Sequence, residues 1–451
     1  MFDLYKVLLI IILGLLTAGF IYFLLRKFEY SIFLLCLSPW ISAIFYDNSP
    51  AFDAHAADAS LGSYLRIGLV FILSIAGIIK YIQLLPLNNG KISVNFVLLS
   101  IFIFVAILST GYSIDKDFTL IRSVSFLALE GFMLGFDSWL SSRKNHENYD
   151  KTLNVFFKFV VFCALINLSA LPVLHDRVWW WEAENRFLGL WDQPNTMGSF
   201  CVISYPIVLW KFSNSKSFYA RLFLILISII LVFMHFITGS RTSLIVACTG
   251  LVIWFFVLRK FLLAASLFCA FILIAFLLIQ LKPERFQRED SNSFTDLTGR
   301  EEFWKGAQTL IFEKPLSGYG YSVEGKVWED ARFYNVKNSL WKGSSRASLH
   351  NGYISTAIGV GLIAFALWSI ILLFPLWRSM FLPANTYKAF FLSMIIMLLL
   401  TNFAESAITG GNSIDSVFFW IVWVMASKKE LILRFKIKQN YVNYFMNISN
   451  V

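Results

Sequence analysis

The sequence predicts an all-α protein that crosses a membrane many times, and its composition supports that class. Of its 451 residues, 58% are hydrophobic, 18% are aromatic and only 15% are charged, compared with about 25% charged residues in an ordinary soluble domain. The mean hydropathy is +0.67. A water-soluble core of this length cannot bury so much apolar surface, which excludes a soluble enzyme and a disordered or fibrous chain.

Apolar stretches of span length recur along the whole chain. A helix that crosses a bilayer needs roughly 20 mostly apolar residues, so we predict a polytopic protein with about 12–13 transmembrane helices. The first stretch is longer than the apolar region of a signal peptide and no cleavage motif follows it, so we expect a span there. The predicted spans are 7–25, 29–45, 67–85, 94–110, 118–136, 154–174, 195–211, 219–237, 242–258, 261–281, 351–376, 386–402 and 413–427.

The loops between these spans alternate in charge. Lys and Arg concentrate in cytoplasmic loops, so the basic side is predicted to be cytoplasmic, and the net charge of +10 needs no nucleic-acid partner. The basic segments are 26–27, 143–144, 211–221, 259–260, 378–388 and the tail from 428. The opposite side receives 46–60, which has no Lys or Arg, 175–194, 238–241 and 282–350.

Four units follow from this layout. We predict an N-terminal transmembrane bundle (1–281), an outer loop (282–350), C-terminal transmembrane helices (351–427) and a basic cytoplasmic tail (428–451). The outer loop contains a predicted amphipathic helix that opens with a capping box, T-G-R-E at 298–301. Its apolar stripe at helical spacing comprises Phe303, Trp304, Ala307, Leu310 and Ile311, and Pro315 and Gly318 end it.

Four polar segments fall on the outer side: N-R-F-L-G-L-W-D-Q-P-N at 185–195, T-G-S-R-T-S at 238–243, L-T-G-R at 297–300 and S-L-H-N-G-Y at 348–353. Arg241 and Arg300 each fall in the first turn of a predicted helix, where the positive end of the helix dipole disfavours a cation. An anion shared between the guanidinium and the helix N–H groups removes this conflict, so we interpret both as phosphate ligands. The alternative is that they anchor helix ends at the headgroup level.

Arg186 and His350 complete the set of candidate site residues. Arg186 is a third candidate diphosphate ligand, although acidic residues in its own loop offer it other partners. His350 lies near a helix start, which favours a neutral imidazole that can act as a general base; the alternative is a ring that only makes a structural hydrogen bond. Asn195, Asn351 and Tyr321 are candidate supporting residues.

The sequence offers no metal or cofactor site. No D-x-D cluster falls on the outer side, and the five cysteines all lie in apolar stretches without a C-x-x-C pair. We therefore predict that the protein uses neither a metal nor a cofactor. Glu405 and Asp415 lie near the outer ends of the last two spans and are candidates for the lining of a cleft.

Taken in order, the polar segments resemble a known family. The series R-F-x-G-x-x-x-x-x-N, T-G-S-R-T, L-T-G-R-x-x-x-W with P-L-x-G-Y-G, and H-N-G-Y followed by G-x-G-L-I is similar to the bacterial O-antigen ligase and O-antigen polymerase superfamily. The resemblance covers about residues 185–375. It implies a glycosyltransferase of the bacterial inner membrane with its active site facing the periplasm and its C-terminus in the cytoplasm.

The resemblance also implies a reaction and a set of partners. A glycan on an undecaprenyl diphosphate carrier would be transferred to a sugar hydroxyl, with inversion and without a metal. Arg186, Arg241 and Arg300 would bind the diphosphate, and His350 would be the catalytic base. The implied partners are the undecaprenyl-diphosphate-linked glycan, a glycan or lipid A–core acceptor, the bilayer and a chain-length regulator.

Three alternatives remain open at the level of sequence. The fuller motif string favours an exopolysaccharide or O-antigen polymerase over an O-antigen ligase, which transfers to lipid A–core. A transporter of lipid-linked oligosaccharides would place its polar residues near the membrane midplane, whereas these crowd one side. A non-catalytic assembly partner would give His350 no role.

Overall fold

The structure is a computed structural model that describes residues 4–44, 61–88, 92–142, 145–180, 186–281, 300–327, 350–408 and 413–428. Its helices are α1 (Leu4–Arg26), α2 (Phe28–Ile44), α3 (Leu61–Leu84), α4 (Val94–Leu108), α5 (Lys116–Ser141), α6 (Asn145–Val173), α7 (His175–Val178), α8 (Pro194–Asn214), α9 (Phe218–Ile237), α10 (Arg241–Val257), α11 (Phe261–Leu281), α12 (Arg300–Glu313), α13 (Glu324–Val327), α14 (Gly352–Met380), α15 (Thr386–Ala404) and α16 (Ile414–Ser427). Two short strands, β1 (Trp179–Trp180) and β2 (Arg186–Phe187), pair antiparallel.

The predicted fold class, an all-α polytopic membrane protein, is confirmed. Among the described residues, 7 helices are long and apolar enough to cross a membrane, and further apolar helices are shorter. Every predicted span falls on one of the helices. The predictions for 46–60, for most of the outer loop and for the tail beyond 428 concern residues outside the described ranges.

Helix α16 is the centre of the bundle. Every residue from Ile414 to Ala426 is buried, so this helix is enclosed by protein on all sides, in keeping with the apolar sequence that follows its first turn. Its Trp423 indole Nε1 donates a hydrogen bond to the carbonyl oxygen of Ile371 in α14 at 2.8 Å. The outer helices differ: α9 exposes large apolar residues such as Tyr219 and Phe233 on the outside of the bundle, where lipid surrounds the protein.

Helix α14 is broken at Gly361, and a second segment fills the break. Gly361 has a φ of 79°, which interrupts the helical hydrogen bonds. The segment 315–320 replaces them: the backbone N–H of Tyr319 donates to the carbonyl oxygen of Ile358 at 3.0 Å, and the N–H of Leu362 donates to that of Pro315 at 2.7 Å. The glycine-rich motifs P-L-x-G-Y-G and G-x-G-L-I are therefore two halves of one backbone junction.

The parts of α14 before and after the break differ in how far their side chains are buried. Its 29 residues extend about 43 Å, more than the roughly 30 Å of a bilayer's hydrocarbon core. Residues 355–361 are all buried, whereas Leu362 and Ile363, just past the break, are exposed apolar side chains. The stretch from Gly361 to Met380 is by itself long enough to span the membrane.

Helix α12 corresponds to the predicted amphipathic helix of the outer loop. It begins at Arg300, and its Ala307 and Leu310 are buried in a cluster with Ile358 of α14. The Trp304 ring contacts that of Phe403 at the end of α15, with 5.7 Å between centroids. Residue 298 of the predicted capping box and the side chain of residue 303 lie outside the described part of the chain.

Candidate functional site

A chain of hydrogen bonds joins four segments at one end of the bundle. Arg186 Nη2 donates to Asn195 Oδ1 at 3.0 Å, and Asn195 Nδ2 donates to Glu405 Oε1 at 2.9 Å. The other carboxylate oxygen, Glu405 Oε2, lies 2.6 Å from His350 Nδ1. Arg186 Nε also donates to the carbonyl oxygen of Thr238 at 2.8 Å. The structure thus brings together three of the four predicted polar segments, namely 185–195, 238–243 and 348–353.

The strand pair holds Arg186 in place. Trp180 of β1 is paired with Arg186, and Trp179 with Phe187. This pairing fixes the backbone at Arg186, which precedes the start of α8. The Arg186 residue is only 7% exposed. The two acceptors above, the Asn195 amide oxygen and the Thr238 carbonyl oxygen, are neutral.

The turn between α9 and α10 presents the N-terminus of α10 to the same region. Gly239 adopts a φ of 62°, which glycine tolerates, and Thr238 Oγ1 accepts a hydrogen bond from the backbone N–H of Ser240 at 3.2 Å. Ser240 is the N-cap residue, as predicted, but its side chain makes no capping hydrogen bond. Arg241 is the first residue of α10. The first N–H groups of this helix are therefore not capped by Ser240, which leaves the helix dipole directed at the site.

The buried His235 is hydrogen-bonded to the first turn of α10. His235 Nε2 lies 2.7 Å from Ser243 Oγ, and His235 Nδ1 lies 2.9 Å from the Tyr205 hydroxyl. Ser243 gives its own proton to the carbonyl oxygen of Ser240, at 3.0 Å, so Nε2 of the ring is the donor and Nδ1 the acceptor. The imidazole therefore ties α8, α9 and the first turn of α10 together.

His350 precedes the first turn of α14. It adopts a φ of 45°, an uncommon conformation for a residue other than glycine. The next residue, Asn351, is the N-cap: its Oδ1 accepts hydrogen bonds from the backbone N–H groups of Tyr353 and Ile354 at 3.0 and 3.1 Å. The cap fixes the point at which the helix begins, and the φ of His350 directs its ring toward the end of α15.

The carboxylate of Glu405 determines how the His350 ring is protonated. With Glu405 ionised, the carboxylate only accepts hydrogen bonds, and the proton between the two groups is then carried by His350 Nδ1. Nε2 is then the ring nitrogen able to take a proton from a hydroxyl group. The sequence indicated Glu405 as a cleft-lining candidate but did not indicate that His350 is its partner, because 55 residues separate the two positions.

Two further carboxyl groups lie beside this chain. Burial raises the pKa of Asp192, and a hydrogen bond from Thr196 and the charge of Arg66 act in the opposite direction. Asp415 is buried near Asp192 and Glu405 and is hydrogen-bonded to Ser199. Asp415 thus lies near the site as a buried group, and its predicted role in lining a cleft stays a prediction.

The remaining candidates lie elsewhere or outside the described side chains. Arg300 is the first residue of α12, but its side chain is not among the described ones, so its role stays a prediction. Asn351 acts as a helix cap. Tyr321 is buried in the aromatic core, where its ring lies against those of Phe102 and Phe126. This placement makes Tyr321 a packing residue.

Within the described ranges, no group of three or more His, Cys, Asp or Glu side chains has an arrangement that could hold a metal ion. The hydrogen-bond chain includes the Arg186 guanidinium and the Glu405 carboxylate, and it lies next to the start of α10, where the Ser240 side chain makes no capping hydrogen bond.

Fold and site together define a polytopic α-helical membrane protein with a partly buried polar centre where the ends of several helices meet. A family model described as O-antigen ligase matches residues 225–369 of this chain. The matched residues include the turn at 238–243, helix α12 and His350, and the predicted resemblance to the O-antigen ligase and polymerase superfamily is confirmed over them. The match supports a membrane enzyme that transfers glycosyl groups. In a search of curated proteins, no protein matches the chain.

Proposed function

We propose that this protein transfers a glycan from an undecaprenyl-diphosphate-linked donor to a sugar hydroxyl, at the end of the bundle that carries His350. The observation that carries the proposal is the hydrogen-bond chain from Arg186 through Asn195 and Glu405 to His350. In this chain, two side chains, Asn195 and Glu405, connect a cation that can bind a diphosphate to a histidine that can take a proton from a hydroxyl group.

The donor side of the proposal rests on positive charge. The leaving group is a lipid diphosphate, and its developing charge is stabilised by cations that are already in place. Arg186 supplies one guanidinium, and Arg241 lies at the positive end of α10. Arg300, at the start of α12, is the third predicted ligand. Since guanidinium groups and helix N–H groups stabilise the negative charge of the diphosphate, the proposed reaction requires no metal.

The acceptor side rests on the His350–Glu405 pair. The acceptor hydroxyl oxygen attacks the anomeric carbon while the bond from that carbon to the phosphate oxygen breaks. The hydroxyl proton passes to His350 Nε2, and the Glu405 carboxylate stabilises the imidazolium that forms. Attack from the face opposite the leaving group inverts the anomeric centre and releases undecaprenyl diphosphate.

The acceptor itself distinguishes two versions of this function. The motif string favours a polymerase, in which the acceptor is another lipid-linked glycan. The matching family model is described as O-antigen ligase, which favours transfer to lipid A–core. We propose the periplasm as the side on which the reaction takes place and the bacterial inner membrane as its location, in agreement with the distribution of basic loops.

Reconstitution with defined substrates tests the proposal. Purified protein in liposomes receives an undecaprenyl-diphosphate-linked repeat unit, with or without lipid A–core, and products are separated by size. A ladder from the donor alone identifies a polymerase, and a single transfer that requires lipid A–core identifies a ligase. Movement of the donor between leaflets without a new glycosidic bond identifies a transporter and overturns the proposal.

A further inference from the structure

The Asn195 amide connects the two halves of the site. Its oxygen accepts a hydrogen bond from Arg186 Nη2 at 3.0 Å, and its nitrogen donates one to Glu405 Oε1 at 2.9 Å. We propose that Asn195 is a positioning residue. It keeps Glu405, and through Glu405 the His350 ring, at a fixed position relative to Arg186. This inference rests on the proposed function and adds to it the residue that couples donor binding to the base.

The chemistry of the two neighbours fixes the residue type at this position. A guanidinium has only donors, and an ionised carboxylate has only acceptors. A side chain between them must therefore accept at one end and donate at the other, and a neutral amide does so without adding charge. Aspartate, which has the same shape, would set a second carboxylate against Glu405, and the two like charges would repel each other.

The position of Asn195 in the fold suits this role. It follows Pro194, which occupies the first turn of α8, so the backbone at the start of the helix is restricted. Arg186 is held independently by the carbonyl oxygen of Thr238. The amide therefore hydrogen-bonds to a cation that is itself held by the backbone.

The order of donors and acceptors along the hydrogen-bond chain predicts a compensating pair of substitutions. In Glu405→Gln, the new amide can still accept from His350 Nδ1, but its nitrogen then faces the nitrogen of Asn195. In Asn195→Asp, two carboxylates face each other. The double variant Asn195→Asp/Glu405→Gln restores an acceptor opposite a donor at every link of the chain and keeps the total charge of the wild type.

The test compares turnover at saturating donor for the wild type, the two single variants and the double variant. We expect Asn195→Asp and Glu405→Gln each to lower turnover by more than about tenfold, and the double variant to retain at least about tenfold more turnover than the two single effects multiplied together, since contacting residues couple strongly. The matched control is Asn214→Asp, at an exposed asparagine near the end of α8, which should behave as the wild type. Unfolding temperatures are measured for every variant, because a general loss of packing cannot be rescued by reversing one hydrogen bond.

The outcomes separate this inference from the proposed function. A wild type that transfers glycan, together with a double variant whose loss of turnover is the product of the two single losses, overturns the positioning role and indicates that Asn195 contacts substrate directly. An Asn195→Asp variant as active as Asn214→Asp also overturns it. A wild type without transferase activity on any acceptor overturns the proposed function and this inference with it.

Discussion

Among single residues, Glu405 has the largest influence on the proposed chemistry. It receives hydrogen bonds from two directions, from Asn195 and from His350, and both donors come from helix starts distant in sequence. A carboxylate held by two donors has few rotamers to explore, so the ring that it contacts is held as well. The tautomer of His350 is therefore a property of the fold.

Removing the His350 imidazole should abolish transfer without disturbing the bundle. We expect His350→Ala to lower turnover by about 10²–10⁴-fold, the usual contribution of a general base. Polymer or ligation product is measured by gel, and membrane insertion by the amount of protein in the membrane fraction. His146→Ala, in the first turn of α6, is the control. Full-length polysaccharide from His350→Ala would contradict the role of the imidazole.

The arginines should not tolerate lysine. Arg186 uses Nε and Nη2 for two separate acceptors, and a lysine ammonium cannot reproduce that fork while also meeting a diphosphate. We expect Arg186→Lys, and by the sequence argument Arg300→Lys, to weaken donor binding by about 10–100-fold. Arg221→Lys, at an exposed position in α9, should bind donor normally. Donor affinity in Arg186→Lys and Arg300→Lys equal to that of Arg221→Lys would show that these two arginines do not bind the diphosphate.

Chelation should leave the reaction intact. In the proposed site, the arginines and the start of α10 supply the positive charge that a divalent cation supplies to other sugar transferases. We expect purified enzyme to retain its transfer rate on lipid-linked donor after treatment with EDTA. A rate that falls with EDTA and returns with magnesium would refute the metal-free mechanism.

At the level of elements, the junction between 315–320 and the break in α14 sets the position of α12. A Cβ at Gly361 would lie 2.3 Å from the carbonyl oxygen of Leu316, and its φ of 79° is strained for any other residue. We expect Gly361→Ala to cost about 1–3 kcal/mol and to displace segment 315–320. Maleimide labelling of a cysteine introduced by Ser317→Cys should then become faster.

A matched glycine provides the control for that prediction. Gly68 lies in α3, and nothing is within 4 Å of a Cβ built there. Gly68→Ala should therefore leave both the labelling rate and the unfolding temperature unchanged, or raise the latter slightly, because alanine favours helix. If Gly361→Ala behaves in the same way, the junction does not hold α12.

The elements also show what sequence can and cannot predict. The spans at 195–211 and 242–258 were predicted within a few residues of α8 and α10, because apolar length and turn residues are local signals. The break at Gly361 was not predicted, since it arises from backbone pairing with a segment more than 40 residues away in the chain. The contact between His350 and Glu405 was not predicted either. Charge patterning predicts on which side of the membrane both residues lie, but the contact between the imidazole and the carboxylate depends on how the helices pack.

For the whole molecule, the buried α16 is the element on which the other helices pack. Trp423 is 1% exposed and bonded to α14, so Trp423→Ala removes both packing and a hydrogen bond. We expect a loss of about 3–5 kcal/mol in the free energy of unfolding, measured by denaturant titration in detergent. Tyr219→Ala, at a residue 80% exposed on the outside of α9, should change it little. Equal losses would mean that α16 is not the centre of the fold.

The length of α14 has a consequence for the acceptor of the proposed reaction. The helix begins at Gly352, two residues after His350, and its part before the break at Gly361 is about 14 Å long. Under the proposed function, a membrane-anchored acceptor must reach the imidazole with its carbohydrate wherever this part of the helix lies outside the bilayer. A short glycan would then be rejected by its length, before any contact with individual sugars is made.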